Sequence, residues 1–326
     1  MGGSFMNVVG GKMKHQRPVF KYYNPFLDDF LIGISNSDFV LLGATTGLGK
    51  SEYAYSIAFK NAIDNPDKVV HLFALEADEN EPEERFIYRS IARQYYADKP
   101  INKIDMSYRN YMYGLIDVSR YEKVAREELA KIDNIEIHYR GKEFTLDTLQ
   151  GILEMYNNKN QCDLIVLDHI DYFDLIDGLN ENEQVTQIMK TLRQFNQDYE
   201  VPIVAVSHMR KKSTFSKSKI PSIDDIMGSS NKPKQVKTII LMSPDYDNSD
   251  YKNNIHSTFF QVPKARIGGA TRFIGRLLFD ARKNEYNGEY TLMRAKLGGV
   301  EVEVVDDYDN PSWYDRKTIE KESLPF

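Results

Sequence analysis

Gly43-Ala44-Thr45-Thr46-Gly47-Leu48-Gly49-Lys50-Ser51 is the stretch on which the fold class turns. Residues 39–43 ahead of it form a short apolar run ending in glycine, and residues 51–62 behind it carry apolar side chains at helical spacing. The order is therefore strand, loop, helix. The run matches the phosphate-loop pattern, with Ala44 where glycine is commonest at the first position. Gly47 and Gly49 let successive backbone N–H groups turn inward, and the following helix aims its positive end at the same anion. Lys50 would place a point charge on the β- and γ-oxygens, and the Ser51 hydroxyl is a magnesium ligand. Ala44, Thr45, Thr46, Gly47, Leu48, Gly49, Lys50 and Ser51 are thus the expected cradle for ATP with Mg2+.

The same alternation continues outward. A second strand over 69–75 ends at Glu76, and a helix over 83–96 follows Pro82. Helical spacing recurs at 119–131, 145–156 and 183–199, and strands are predicted at 135–139, 164–167 and 203–206. Further strands at 238–242, 258–262 and 276–279 make the second half rich in hairpins. Strands alternating with helices predict an α/β domain with a mostly parallel central sheet, helices on both faces and ligands at the carboxyl ends of the strands. The domain is expected over 22–305, between a glycine-paired amino-terminal arm (1–21) and a charged, unpatterned tail (306–326).

Two carboxylates fall where phosphate chemistry needs them. Leu164-Ile165-Val166-Leu167-Asp168 is an apolar strand ending in an acid, which makes Asp168 the candidate second magnesium ligand. Glu76, at the end of the strand after the phosphate-loop helix, is placed to orient or deprotonate water, although a solvated glutamate would read the same way.

Composition narrows the class further. Among 326 residues, 41% are hydrophobic and 28% charged, as in a globular chain with a full core. Cys162 is the single cysteine, so neither a disulfide within the chain nor a cysteine cage for zinc can form. No apolar run approaches the roughly 18 residues of a membrane span, and residues 1–17 lack a signal-peptide block; the expected location is the cytoplasm, the host's if the chain is phage-encoded. A net charge of -6 repels nucleic acid as a whole, so DNA contact would require a local basic surface.

The order of motifs from about residue 24 to 279 resembles the ring-forming replicative helicases of the DnaB type, with a RecA-like ATPase core, and in particular their phage and mitochondrial branch. Leu27 to Gly33 resembles that family's segment before the phosphate loop, Leu75-Glu76 followed by Arg85 its catalytic-glutamate motif, and Asp168-His169-Ile170 the phage-type Walker B ending. Residues 201–208 resemble the strand whose terminal polar residue senses the γ-phosphate, carried here by His208. Lys264-Ala265-Arg266 followed by Gly268-Gly269 resembles the element inserted into the neighbouring subunit's site. The resemblance implies Arg266 as an arginine finger in trans with Lys264 beside it, a homo-oligomeric ring (commonly a hexamer), and an ATP-dependent DNA helicase working in DNA replication on single-stranded DNA.

There are departures from the family pattern. Residues 226–234 take the place of the family's Ser-Gly-rich DNA loop, keeping Gly228 and Ser229 but bringing lysines and no aromatic residue for base stacking. Arg210, Lys211, Lys212, Lys232, Lys234 and Lys237 are the expected DNA-phosphate contacts, with a solvated basic loop as the alternative. No primase domain fits ahead of Tyr22, so a separate primase or loader is the expected partner. Two other functions remain open at this point: a RecA-like recombination or strand-annealing ATPase, and a regulatory protein in which nucleotide only controls assembly.

Overall fold

Apolar runs without alternation suit strands buried on both faces. The computed structural model of the chain describes residues 18–45, 47–98, 106–174, 178–210, 220–226, 232–266, 273–296 and 301–305. Its parallel strands are β1 (Phe39–Ala44), β2 (Val70–Ala74), β3 (Ile135–Tyr139), β4 (Leu164–Asp168), β5 (Ile203–His208) and β6 (Thr238–Pro244). β1, β2 and β4 are buried at every position, β5 and β6 at all but the last, and β3 at the edge is only partly covered. The antiparallel continuation consists of β7 (Ile255–Ala265), β8 (Phe273–Asp280), β9 (Glu285–Tyr286), β10 (Thr291–Ala295) and β11 (Val302–Val304). The strands form one sheet in the order β11-β10-β8-β7-β6-β1-β5-β4-β2-β3, with β9 paired to β8. β1 lies between β5 and β6, parallel to both, so the phosphate loop leaves the sheet near its middle.

The helices are α1 (Pro25–Leu31), α2 (Lys50–Asp64), α3 (Glu81–Asp98), α4 (Tyr108–Met112), α5 (Ser119–Leu129), α6 (Leu146–Asn157), α7 (Glu181–Tyr199) and α8 (Lys232–Gln235). Because neighbouring strand residues face opposite sides, Val40 and Leu42 pack under Ala54, Ile57 and Ala58 of α2, whereas Leu41 joins Leu149 of α6 and Ile188 and Leu192 of α7. A smaller cluster holds α3 to α5 through Tyr88, Ile91 and Tyr95 against Tyr121 and Ala125.

The α/β architecture expected from the sequence is the one observed, and the differences lie at boundaries. The arm expected over 1–21 is shorter at its inner end. Phe20 is buried and bridges to Ile34, and the Lys21 backbone exchanges hydrogen bonds of 2.9 Å with the Asn61 side chain. β7 runs well beyond 258–262, and β9 to β11 were not anticipated, because exposed hairpin strands carry weak apolar patterns. Residues 1–17 and the tail from 306 onward lie outside the described residues.

Candidate nucleotide site

The site grows from the carboxyl ends of β1, β4, β2 and β5. After β1, Gly47 (φ 86°) and Gly49 (φ 69°) both take left-handed backbone that a side chain would oppose, and Gly49 caps the start of α2. Thr46 lies outside the described residues. The loop is buttressed from the antiparallel half of the sheet: the Tyr286 hydroxyl donates to the Leu48 carbonyl at 3.0 Å, and the Phe279 ring lies 3.3 Å from where a Cβ on Gly49 would sit.

Lys50 opens α2 and is only 5% exposed. Its ammonium donates to Glu76 Oε2 at 2.7 Å. Glu76 reaches this position because β2 pairs with β4 in register, and the Leu75 N–H donates to the Asp168 carbonyl at 2.7 Å. His169, fully buried, brings Nε2 to 3.2 Å from the same Glu76 oxygen, and the Tyr172 hydroxyl donates to Oε1 at 3.4 Å. The His169 imidazole, ahead of Lys50, holds the Glu76 carboxyl down to about 2 against the opposing effect of partial burial. Glu76 is therefore an anion at any neutral pH.

Asp168 ends β4 with its side chain completely buried, and neither carboxylate oxygen has a hydrogen-bond partner. Burial pushes its pKa up, while Lys50, His169 and the Ser51 hydroxyl pull it back. A buried carboxylate without a donor is costly on its own. Its two bare oxygens beside a serine hydroxyl are an oxygen donor set suited to Mg2+, so the residues present fit that ion.

His208 closes the site. Its strand pairs with β1 so that Ala44 stands opposite His208, and the Met209 N–H donates to the Ala44 carbonyl at 3.0 Å. The His169 and His208 rings meet edge to face with centroids 4.1 Å apart. One ligating atom from each of Glu76, His169 and His208 lies within 4.8 Å of the others, so the expected catalytic glutamate and phosphate sensor converge, with His169 between them. Burial, then the charges of His169 and Lys50, lowers the His208 pKa. Arg85, quoted above with Glu76, is instead engaged by Glu52 and Glu81.

The Lys264-x-Arg266 element falls at the other end of the sheet. Ala44 of β1 is level with Met242 of β6, whereas Ala265 of β7 is level with Thr238, so Arg266 stands at the amino ends of the parallel strands. Arg266 is exposed. Arg193, Lys237 and Lys264 crowd the same region: burial first, and then the positive charges of their neighbours, lower all three pKa values. Lys264, expected beside Arg266, is engaged within its own chain. Its ammonium donates to the carbonyls of Pro233 and Val236 in its own chain, because the end of α8 leaves those acceptors uncapped.

The expected DNA contacts divide. Arg210, Lys234 and Lys237 are at least partly exposed, and Lys211 and Lys212 lie outside the described residues. Lys232 is a correction: it is completely buried, with its ammonium on Asp171 Oδ1 at 2.5 Å and on Ser207 Oγ at 2.9 Å, and has no phosphate-facing donor. Asp171 and Tyr172 escaped the sequence reading because a short turn after a strand carries no periodicity. Only the second acid three residues past Asp168 hinted at them.

A phosphate loop, a bare buried carboxylate and a strand-end glutamate on this strand order define a nucleotide-binding domain with the RecA-like ATPase fold. Residues 23–287 match the DnaB-like helicase C terminal domain, and the chain belongs to that family. Among curated relatives, a probable plasmid replicative DNA helicase of Chlamydia trachomatis is 22% identical over 270 residues, covering 77% of this chain and 56% of that protein. The replicative DNA helicase DnaB of Mycoplasma pneumoniae is 21% identical over 279 residues (80% and 56%). The replicative DNA helicase DnaB of Geobacillus stearothermophilus is 23% identical over 234 residues (70% and 48%). The chain thus spans about half the length of these relatives. Two solved structures share the fold. An ATPase domain aligns with TM-score 0.69 at 18% identity over 88% of this chain and 99% of its own. A DnaB-like replicative helicase, described with its interactions with primase, aligns with TM-score 0.68 at 19% identity over 88% and 67%. Among the described residues no helix is long and apolar enough to cross a membrane.

Proposed function

We propose that this chain is the ATP-hydrolysing motor of a replicative DNA helicase, in which hydrolysis between subunits drives movement along single-stranded DNA. The observation that carries this reading is the convergence of Lys50, Glu76, the bare Asp168 and His208 at one end of the sheet, with Arg266 at the other. Arg266 is too far from its own phosphate loop to serve it, so as an arginine finger it would act on a neighbour's, which calls for a head-to-tail ring or filament. Membership in the DnaB-like family and the names of its relatives favour the helicase.

Ser51 and Asp168 would hold Mg2+, which neutralises charge on the β- and γ-phosphates. Lys50 is engaged with Glu76 in this structure, and binding of the γ-phosphate would draw its ammonium away. That would leave Glu76 Oε2, already anionic, with His169 beside it and one side open to orient water for in-line attack. His208 and His169, converging on Glu76, would border the place where the departing phosphoryl charge builds up. Arg266 from the adjoining subunit would add positive charge late, when the subunits close. DNA would be met by local cations such as Arg210, Lys234 and Lys237.

Steady-state ATP hydrolysis with and without single-stranded DNA, alongside unwinding of a forked duplex, tests the proposal. DNA-stimulated hydrolysis with unwinding is expected. Tight nucleotide binding without turnover would overturn the motor, and stimulation without unwinding would move the assignment to a recombination or annealing ATPase.

A further inference from the structure

Lys232 is a buried lysine on the four-residue helix α8, and its charge is spent on one acid. Asp171 Oδ1 accepts from its ammonium at 2.5 Å, and Ser207 Oγ lies at 2.9 Å from the same nitrogen. The second oxygen, Asp171 Oδ2, accepts from the His208 backbone N–H at 3.0 Å and lies 3.5 Å from His169 Nδ1. His169 Nδ1 in turn accepts from the Asp171 N–H at 3.3 Å. Asp171 therefore fixes the backbone of one phosphate-side histidine through its carboxylate and the ring of the other through its own N–H, and both histidines lie against Glu76. A second tie runs alongside: the Arg210 N–H donates to the Asp225 carbonyl at 2.7 Å and Met209 bridges to Ile226, linking the end of β5 to the segment that leads toward α8.

We infer that Asp171 and Lys232 are positioning residues that together form a buried strut between α8 and the two histidines, so that a shift of α8 is felt at the γ-phosphate end of the nucleotide site. The inference rests on the ATPase reading above. A carboxylate and an ammonium taken out of water stay charged only while paired, so the strut has two states, intact or broken. Lys234 and Lys237 sit on and just beyond α8, among the cations expected to meet DNA, so a strand engaging that surface pulls on the helix that carries Lys232. Loss of the pair would free the His208 N–H and let the turn whose Asp171 N–H holds the His169 ring shift with it. Misplacement by about 1 Å at such a site costs on the order of a hundredfold in rate.

The test compares wild type with Asp171→Asn, Lys232→Met, the double variant Asp171→Asn/Lys232→Met and the conservative Lys232→Arg. The double variant buries no unpaired charge and so guards against simple unfolding. Each is measured for thermal midpoint, binding of a fluorescent ADP, and kcat and KM for ATP with and without single-stranded DNA. The expected result is ADP affinity and KM within about twofold of wild type, kcat down about ten- to a hundredfold, and the DNA-stimulation ratio falling toward one, with Lys232→Arg recovering part of both. A folded double variant with wild-type kcat would overturn the inference. So would a reduced kcat with an unchanged DNA ratio, or losses of affinity and rate that simply track the thermal midpoint. Wild-type protein without hydrolysis would sink the ATPase reading and the strut with it, whereas loss of the ratio confined to the variants bears on the strut alone.

Discussion

The two ends of the central sheet differ in what their side chains lack. At the carboxyl ends of the strands, Asp168 is buried without a donor and Glu76 is an anion held by a lysine and a histidine. At the amino ends, Arg193, Lys237 and Lys264 gather around an exposed Arg266; burial first, then the Arg266 charge and, for the two lysines, that of Arg193, lower their pKa values, while Asp38 raises that of Lys237. Such an arrangement fits the head-to-tail contact proposed above, in which unlike ends of two copies would meet. The difference means that the proposed site would be divided between the two ends of one sheet, with the acids at one and Arg266 at the other.

The largest effect that could break this comparison comes from Lys50→Ala, which should reduce ATP turnover to background in a phosphate-release assay. Residual turnover near wild type would remove the carboxyl end as the site. Next, Arg266→Ala should lower kcat by about a thousandfold while leaving nucleotide binding nearly intact. Mixing it with Lys50→Ala protein should restore partial hydrolysis, since mixed assemblies contain interfaces with both groups. If the mixture stays inactive, or the Arg266→Ala protein alone stays active, the two ends are not halves of one site. Glu76→Gln keeps the shape but removes the anion, and a drop of about a hundredfold in kcat with unchanged ADP affinity is expected; equal losses in affinity would make Glu76 a binding residue only.

A smaller effect belongs to neither end. His71 and His138 share a 3.0 Å contact at the β2–β3 edge, and burial, with His71 second, lowers the His138 pKa to about 4. The unfolded chain takes up its proton near pH 6.5, so stability is lost as pH falls from about 6.5 toward 4, amounting to about 1–2 kcal/mol at pH 5. Urea unfolding at pH 7 and pH 5 measures this. Equal stability at the two would mean that the pair is already solvated.

The phosphate loop and Asp168 were legible because each is a contiguous string whose neighbours confirm it. The apolar run before Asp168 gave both its strand and its burial. Lys232 was misread for the opposite reason. A lysine in a basic run looks solvated, and only the fold brings Asp171, 61 residues earlier, beneath it. His169 was quoted as part of a motif, yet its contacts with Glu76, Asp171 and His208 arise from three different strand ends. Lys264 likewise gave no sign that the carbonyls at the end of α8 would claim its ammonium.

The contact between Tyr286 and Leu48 has a consequence for how the molecule is made. The two residues are 238 positions apart, so a ribosome adding about 5–20 residues per second leaves the phosphate loop without that brace for roughly 10–50 s after the loop is synthesised. During that interval the emerging polypeptide carries its nucleotide-gripping sequence but not the hairpin that holds it in shape. Capture of ATP by the nascent chain would then rise only once residue 286 has cleared the exit tunnel.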